Sequence, residues 1–388
     1  MDMISPRIAS LTPSLTLKVT NRAKAMKAEG QEVYGLAGGE PDMDTPDHIK
    51  QAAIDALNAG QTKYTPSAGL MTLRQAISDK LKRENGLNYE PTQIVVSSGA
   101  KHACYNAILA LVSDGDEVII PAPYWVSYPE MVRMAGGVPV IVQTTPENGW
   151  KMTVEQFEEA MTPRTKMVII NTPTNPTGAV YTRDELQALG DLAASEDIII
   201  LSDEIYEHLV YGGAEHVSIA SLSEDIYKLT VTVNGFSKGY SMTGWRLGYT
   251  AAPAEITKAI QLIQDHTTSN TCTFSQFGAI AALTGDQSFI TDMRDEFDMR
   301  RQYVYERLKK IPNISVVEPS GAFYFLIDTT NLGLTSLNLC DKLLDRYKVA
   351  AVPGIAFGND HSIRISYCTS LDILKEGLDR FEEFCRAH

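Results

Sequence analysis

The chain has 388 residues, 44% of them apolar, enough for a large core spread over two or three units. Its 34 basic and 48 acidic side chains leave a net charge of −14, the wrong sign for nucleic acid or an anionic membrane as the main partner. No apolar run approaches the roughly 18 to 20 residues that span a bilayer. The opening MDMISPRIASLTPSLTLKV lacks a basic stretch followed by an apolar one, so no secretion signal is expected. Cys104, Cys272, Cys340, Cys368 and Cys385 are odd in number and scattered, which reads as reduced thiols in a cytoplasmic protein rather than disulfides or zinc ligands.

In chain order, residues 1–45 show no strong periodicity and are expected to join the C-terminal part or to wrap a partner subunit. A strand at 94–96 leads through a small-residue turn into a helix over 101–112. Further strands are expected at 117–120, 167–170, 197–201 and 229–233, with amphipathic helices such as 182–195 between them. That alternation predicts a mostly parallel sheet covered by helices, with ligands outside the carboxyl ends of the strands. After residue 285 the texture changes to a long charged helix, 288–310, then a strand at 322–327, a helix at 336–346, a strand at 361–366 and a closing helix. The expected division is a large α/β domain over 46–285, and a smaller α+β domain made of 1–45 and 286–388.

The stretch Gly235 to Gly239, GFSKG, fits the G-x-S-x-G turn of serine hydrolases and also holds a lysine among small residues. The hydrolase reading wants a continuous helix after the turn, an oxyanion segment and a histidine with an acidic partner, and none of these is legible. The lysine reading needs Lys238 partly desolvated at a strand end, which lowers its pKa and frees the amine for imine formation. Other groups fall at the ends of the other expected strands. Asp203, after Ile198-Ile199-Ile200-Leu201, suits either a turn cap or the proton on a heterocycle nitrogen. Tyr206, three residues on, suits packing or donation to a ring oxygen. Asn175 lies in NTPTNPTG, where two X-Pro steps and a glycine predict a rigid, extended loop, a plain structural turn being the alternative; an amide held there suits a ring oxygen or a substrate carboxylate. The segment Ser98-Gly99-Ala100-Lys101 opens a helix and offers free backbone N–H groups to a phosphate, with Ser237 and Arg246 able to complete the cradle. Trp125 suits either the core or stacking on a flat ring.

Together AGGEPDMDTP, TKYTPSAG, SSGAKHA, PYWVSYPEM, NTPTNPTGAVY, SDEIYEHLVY, NGFSKGYSMTGWRLGY and SIRISYCTS resemble a class I pyridoxal-phosphate aminotransferase, most of all the bacterial aspartate aminotransferases of subgroup Ib. The resemblance runs in order from about residue 13 to 370. It implies a fold-type-I homodimer with a mostly parallel seven-stranded-type sheet and active sites shared at the interface. It implies that Lys238 forms the Schiff base with pyridoxal 5′-phosphate and serves as general base and acid. Asp203 would pair with the ring nitrogen, while Tyr206 and Asn175 would bond the ring oxygen. Gly99, Ala100, Ser237 and Arg246 would bind the phosphate, and Tyr64 would reach the phosphate in the neighbouring subunit. Trp125 would stack on the ring. Arg364 would clamp the substrate α-carboxylate with help from Asn175 and the backbone at Gly39. Lys101, with Thr16, would hold a distal carboxylate, so that an amino acid and a 2-oxo acid exchange an amino group in a ping-pong scheme. Relatives that also accept prephenate carry a basic residue where this chain has Thr12.

Overall fold

The computed structural model describes residues 3–9 and 11–388. Its largest sheet has seven strands in the spatial order Ile94–Ser97, Gly248–Ala251, Thr230–Gly235, Ile199–Asp203, Thr165–Asn171, Glu117–Ala122, Val138–Gln143. All neighbours run parallel except the two pairs made by Gly248–Ala251. The central strands are near-continuous apolar runs because both faces are covered. On one face Ala103, Ala107 and Ile108 of helix Ala100–Leu111 pack against Val95, Leu201 and Val231. On the other, Leu186, Leu189 and Ala193 of helix Arg183–Ser195 pack against Val168, Ile170 and Ile200. That helix starts where Thr182 and Glu185 form a capping box.

Six parallel strands share one carboxyl edge, and the loops leaving it carry the residues of interest. Residues 98–100 follow Ile94–Ser97, and Trp125 and Tyr128 follow Glu117–Ala122. Asn171 ends Thr165–Asn171 and Asn175 lies just beyond it. Asp203 ends Ile199–Asp203, and Ser237 and Lys238 follow Thr230–Gly235.

A second sheet of four antiparallel strands, ordered Val352–Pro353, Ser362–Ser366, Tyr324–Asp328, Ser315–Val316, follows in the C-terminal third. Helices Ser288–Leu308, Ser336–Tyr347 and Leu371–Ala387 pack with it around Phe297, Phe323, Phe325 and Phe381. Tyr34–Gly35 pairs in parallel with Val349–Ala350, so the N-terminal stretch joins this half of the molecule. Ahead of it lies helix Leu15–Ala28, whose only fully buried residue is Ala23, which is why no periodicity marks it in the sequence. Among the described residues no helix is long and apolar enough to cross a membrane.

Three expectations need correction. The strand expected at 322–327 is Tyr324–Asp328, because Ala322 sits in the left-handed region at φ 55° and cannot extend the ladder. NTPTNPTG is a turn rather than an extended loop: Gly178, at φ 70°, lets its N–H donate to the Thr174 carbonyl at 2.8 Å. Val138–Gln143, not foreseen as a strand, pairs at the sheet edge with Pro139 within it, where edges tolerate a missing donor.

Candidate active site

The strand ends converge on a cavity of about 480 Å³ lined by Thr16, Gly39, Ala100, Lys101, Trp125, Asn175, Asp203, Tyr206, Ser237, Lys238, Arg246 and Arg364. Five cationic side chains, Lys24, Lys101, Lys238, Arg246 and Arg364, face it against two carboxylates, Glu40 and Asp203. In a chain of net charge −14, so cationic a cavity concentrates the field on anionic ligands.

At one end the helix Ala100–Leu111 begins, with Gly99 as its N-cap at φ 90°. A methyl group on Gly99 would stand 2.4 Å from Arg246 Nη2, so only glycine lets the guanidinium lie against the helix start. Arg246 donates to the carbonyls of Thr243 at 2.9 Å and Ser98 at 3.4 Å, and Ser237 lines the same end. Free N–H groups, the positive end of a helix dipole and a planar cation together make an anion cradle.

Deeper in, Asp203 is 4% exposed. Its Oδ2 accepts from the Tyr128 hydroxyl at 2.7 Å and the Cys104 thiol at 3.7 Å, and its Oδ1 from the Ile205 N–H at 3.2 Å. Burial raises its pKa, opposed by those donors. Among the described residues the carboxylate makes no ion pair, so it suits a cation brought in by a ligand, such as a protonated ring nitrogen. The Tyr206 hydroxyl meets that of Tyr324 at 2.9 Å, and burial pushes both phenols up. Each therefore keeps its proton and can donate.

Lys238 stands between these groups. Its Nζ donates to the Gly39 carbonyl and lies 5.8 Å from the Tyr206 ring centre and 5.6 Å from that of Phe323. Desolvation lowers its pKa to about 8; Cys368 and Glu40 act to raise it, Arg364 and Arg246 to lower it further. A near-neutral amine in a walled cavity is a nucleophile and a proton carrier. The turn after Thr230–Gly235 leads only to a three-residue 3-10 turn at Thr243–Trp245 and not to a continuous helix, so the serine-elbow reading lacks the helix it needs.

Also lining the cavity, Arg364, 4% exposed, donates to Asn175 Oδ1 at 2.8 Å and the Ala37 carbonyl at 3.2 Å. Its guanidinium lies 4.2 Å over the Tyr324 ring, and its buried Nε has no partner among the described residues. A buried guanidinium without an anion is suited to an incoming carboxylate. Lys101 Nζ lies 5.0 Å from the Trp125 ring centre, and desolvation lowers its pKa, with Arg246 adding to the effect. Thr16 bonds Ser14 through their hydroxyls at 2.8 Å where the first long helix begins.

One expected residue stands apart: Tyr64 is 92% exposed and does not line the cavity. Sequence reasoning missed Tyr128, Tyr324, Glu40 and Lys24. Tyr128 was findable in principle, since it lies three residues beyond Trp125, where its N–H closes a turn onto the Trp125 carbonyl at 3.1 Å and its ring packs edge-on to the indole at 5.1 Å.

A helix-start anion cradle, a buried carboxylate suited to a cationic ring, a lysine of lowered pKa and an arginine facing no anion among the described residues make a site suited to imine chemistry at the edge of an α/β sheet. The comparisons with known proteins give the family. The model of "Aminotransferase class I and II" matches residues 31–381, and the chain belongs to that family. It is similar to an aspartate aminotransferase of Geobacillus stearothermophilus, 49% identical over 99% of both chains. It is also similar to an aspartate/prephenate aminotransferase of Cereibacter sphaeroides, 46% identical over 99% of both chains. Among solved structures, an aspartate aminotransferase of Thermus thermophilus with maleate superposes at a TM-score of 0.95, with 42% identity over 99% of this chain and 100% of that one.

Proposed function

We propose that the protein transfers the amino group of L-aspartate to 2-oxoglutarate, using pyridoxal 5′-phosphate held by the groups described above. The observation that carries this reading is the placement of Lys238, at a pKa of about 8, in one cavity with a buried carboxylate lacking a cation and a buried guanidinium lacking an anion. When bound, the cofactor supplies an aldehyde for the amine and a ring that withdraws electrons from the substrate Cα. Asp203 holds the proton on the ring nitrogen. Tyr206 and Asn175 donate toward the ring oxygen, and Trp125 stacks on the ring. Gly99, Ala100, Ser237 and Arg246 hold the phosphate. Arg364 binds the α-carboxylate as a planar fork. Once released, Lys238 Nζ would take the proton from the substrate Cα and deliver it to the carbon that enters as the cofactor's aldehyde, two bonds away across the nitrogen.

The near relatives named aspartate aminotransferase support the choice of donor. So does Lys101, which lines the same cavity as Arg364 and Thr16 and is a second cation for a second carboxylate. The exposure of Tyr64 supports a homodimer in which it reaches the neighbouring cavity. Hydrophobic clusters drawn mainly from one part or the other support reading 46–285 as the large domain and 1–45 with 286–388 as the small one, with Tyr206, Leu209 and Tyr211 of the larger part packing into the smaller one's core. Five free thiols, four of them buried, support a cytoplasmic setting.

The test is a half-reaction with single amino acids and no oxo acid, following the visible absorbance of the cofactor-loaded protein. Aspartate and glutamate are expected to bleach it fastest, and Lys101→Met should slow them while leaving alanine unchanged. A much faster reaction with a neutral amino acid would overturn the substrate assignment.

A further inference from the structure

Behind the cavity lies a buried ionic cluster with no part in the chemistry above. Lys80, in helix Met71–Asn85, has a side chain only 1% exposed, and its ammonium pairs with Glu207, whose side chain is 6% exposed. It also donates to Asn85 Oδ1 at 2.8 Å, and Asn85 Nδ2 donates to the other Glu207 oxygen at 2.8 Å. Glu204, wholly buried, accepts from Ser202 at 2.9 Å and from Ser218 at 2.6 Å, and His216 Nε2 lies 3.1 Å from it. Glu204, Glu207 and His216 stand close enough together to hold a metal ion, but the Lys80 ammonium already supplies the positive charge that Glu207 faces.

The cluster grips one short segment. From Asp203 to Glu207 the side chains divide. Asp203 and Tyr206 line the cavity, while Glu204 and Glu207 are held from behind. The Glu204 N–H donates to the Val233 carbonyl at 2.9 Å, tying the segment to the strand that leads to Lys238, and the Glu207 N–H donates back to Glu204 at 2.9 Å. His208 packs so tightly on the Lys238 loop that a methyl on Gly239 would stand 2.6 Å from its Nδ1. A displacement of this segment therefore carries Asp203 and Tyr206 together, relative to Lys238. A buried ion pair adds little stability over apolar side chains of the same volume, so its retention is better accounted for by the geometry it fixes.

We propose that Lys80 and Glu207 are positioning residues that set Asp203 and Tyr206 against Lys238. This rests on the aminotransferase reading for its activity readout only. The test compares Glu207→Gln, Lys80→Met and the double variant K80M/E207L with the parent. The single variants strand a buried partner and are expected to lose thermal stability. The double variant strands neither charge and leaves Asn85 its bond to Ser218 at 2.9 Å, so it should recover most of it. Two readouts follow on the double variant. In the cofactor-free protein, amide exchange over residues 203–209 is expected to quicken at least tenfold, with the rest of the central sheet unchanged. In the loaded protein, the pH midpoint of the visible band should move and the aspartate half-reaction should slow at least tenfold. A double variant with parental stability, parental exchange and a parental midpoint would overturn the proposal. Should it fail to fold, Asn85→Ala, which frees one Glu207 oxygen without stranding a charge, is expected to show the same changes at about threefold. Parental exchange and midpoint in that variant would count against the proposal equally. A parent that exchanges as expected but does not react with aspartate would sink the substrate assignment and leave the positioning role standing on exchange.

Discussion

In the proposed reaction Lys238 is the group on which the chemistry turns, and its proton affinity is measurable without cofactor. The perturbation is pH, applied to the cofactor-free chain. An ordinary lysine titrates at 10.5, and desolvation in the cavity brings Lys238 to about 8. At pH 7 that leaves about 10% of the amine free, against about 0.03% for an ordinary lysine, a gain of roughly 300-fold. Competitive acetylation with a trace reagent, read by peptide mass spectrometry, reports the free-amine fraction of each lysine across pH. The midpoint for Lys238 should fall near 8, with surface lysines above 10. Neighbours should move it by sign: Arg364→Met upward, by removing a repelling cation, and Glu40→Gln downward, by removing an attracting anion. A stability consequence follows. The folded chain binds this proton less tightly than the unfolded chain, so charged Lys238 destabilises the fold below pH 8. That cost is relieved as pH rises from 8 to 10.5. It is about 3 kcal/mol at most, reduced by water reaching a partly exposed side chain. Denaturant unfolding of the cofactor-free parent and of Lys238→Met should therefore converge with rising pH. A Lys238 midpoint at the ordinary lysine value would refute the reasoning.

Three substitutions probe the rest of the site. Tyr128→Phe removes the hydroxyl that donates to Asp203 at 2.7 Å, a bond to a charged group worth about 1.5–3 kcal/mol. The aspartate half-reaction should slow roughly 10- to 150-fold in stopped flow, and an unchanged rate would exclude Tyr128 from holding the carboxylate. Arg364→Met should cut kcat/KM for aspartate by a factor corresponding to about 2–5 kcal/mol, while the visible band of the loaded protein persists. Arg364→Lys should not rescue it, since a point charge cannot replace the planar fork. Gly99→Ala puts a side chain at φ 90° with a carbon 2.4 Å from Arg246, and should weaken cofactor binding about 10- to 100-fold in an equilibrium titration.

The parts of this site legible in the sequence are those fixed by strand periodicity. Asp203, Lys238 and Asn175 each follow an apolar run, and a mostly parallel sheet sends the ends of such runs to one edge. Arg364 was reached through the resemblance, because a charged residue in strand Ser362–Ser366 gives no sign from spacing of which face it takes. Tyr324 stayed hidden for the same reason. Its hydroxyl matters only because Tyr324–Asp328 runs antiparallel to Ser362–Ser366 and meets Tyr206 from another part of the fold. Helix Leu15–Ala28 was invisible because it buries a single alanine, yet it delivers Thr16, Thr20 and Lys24 to the cavity at four-residue spacing. The turn in NTPTNPTG depends on Gly178 at positive φ, which outweighs the extended preference before each proline.

The central claim is that Lys238, and no other amine in the cavity, bonds to the cofactor. Borohydride reduction of the loaded protein followed by peptide mass mapping tests it most directly. The account predicts one reduced adduct, on the peptide carrying Lys238, and none in Lys238→Ala. An adduct on Lys101 or Lys24 in the parent, or an adduct that survives in Lys238→Ala, would contradict it.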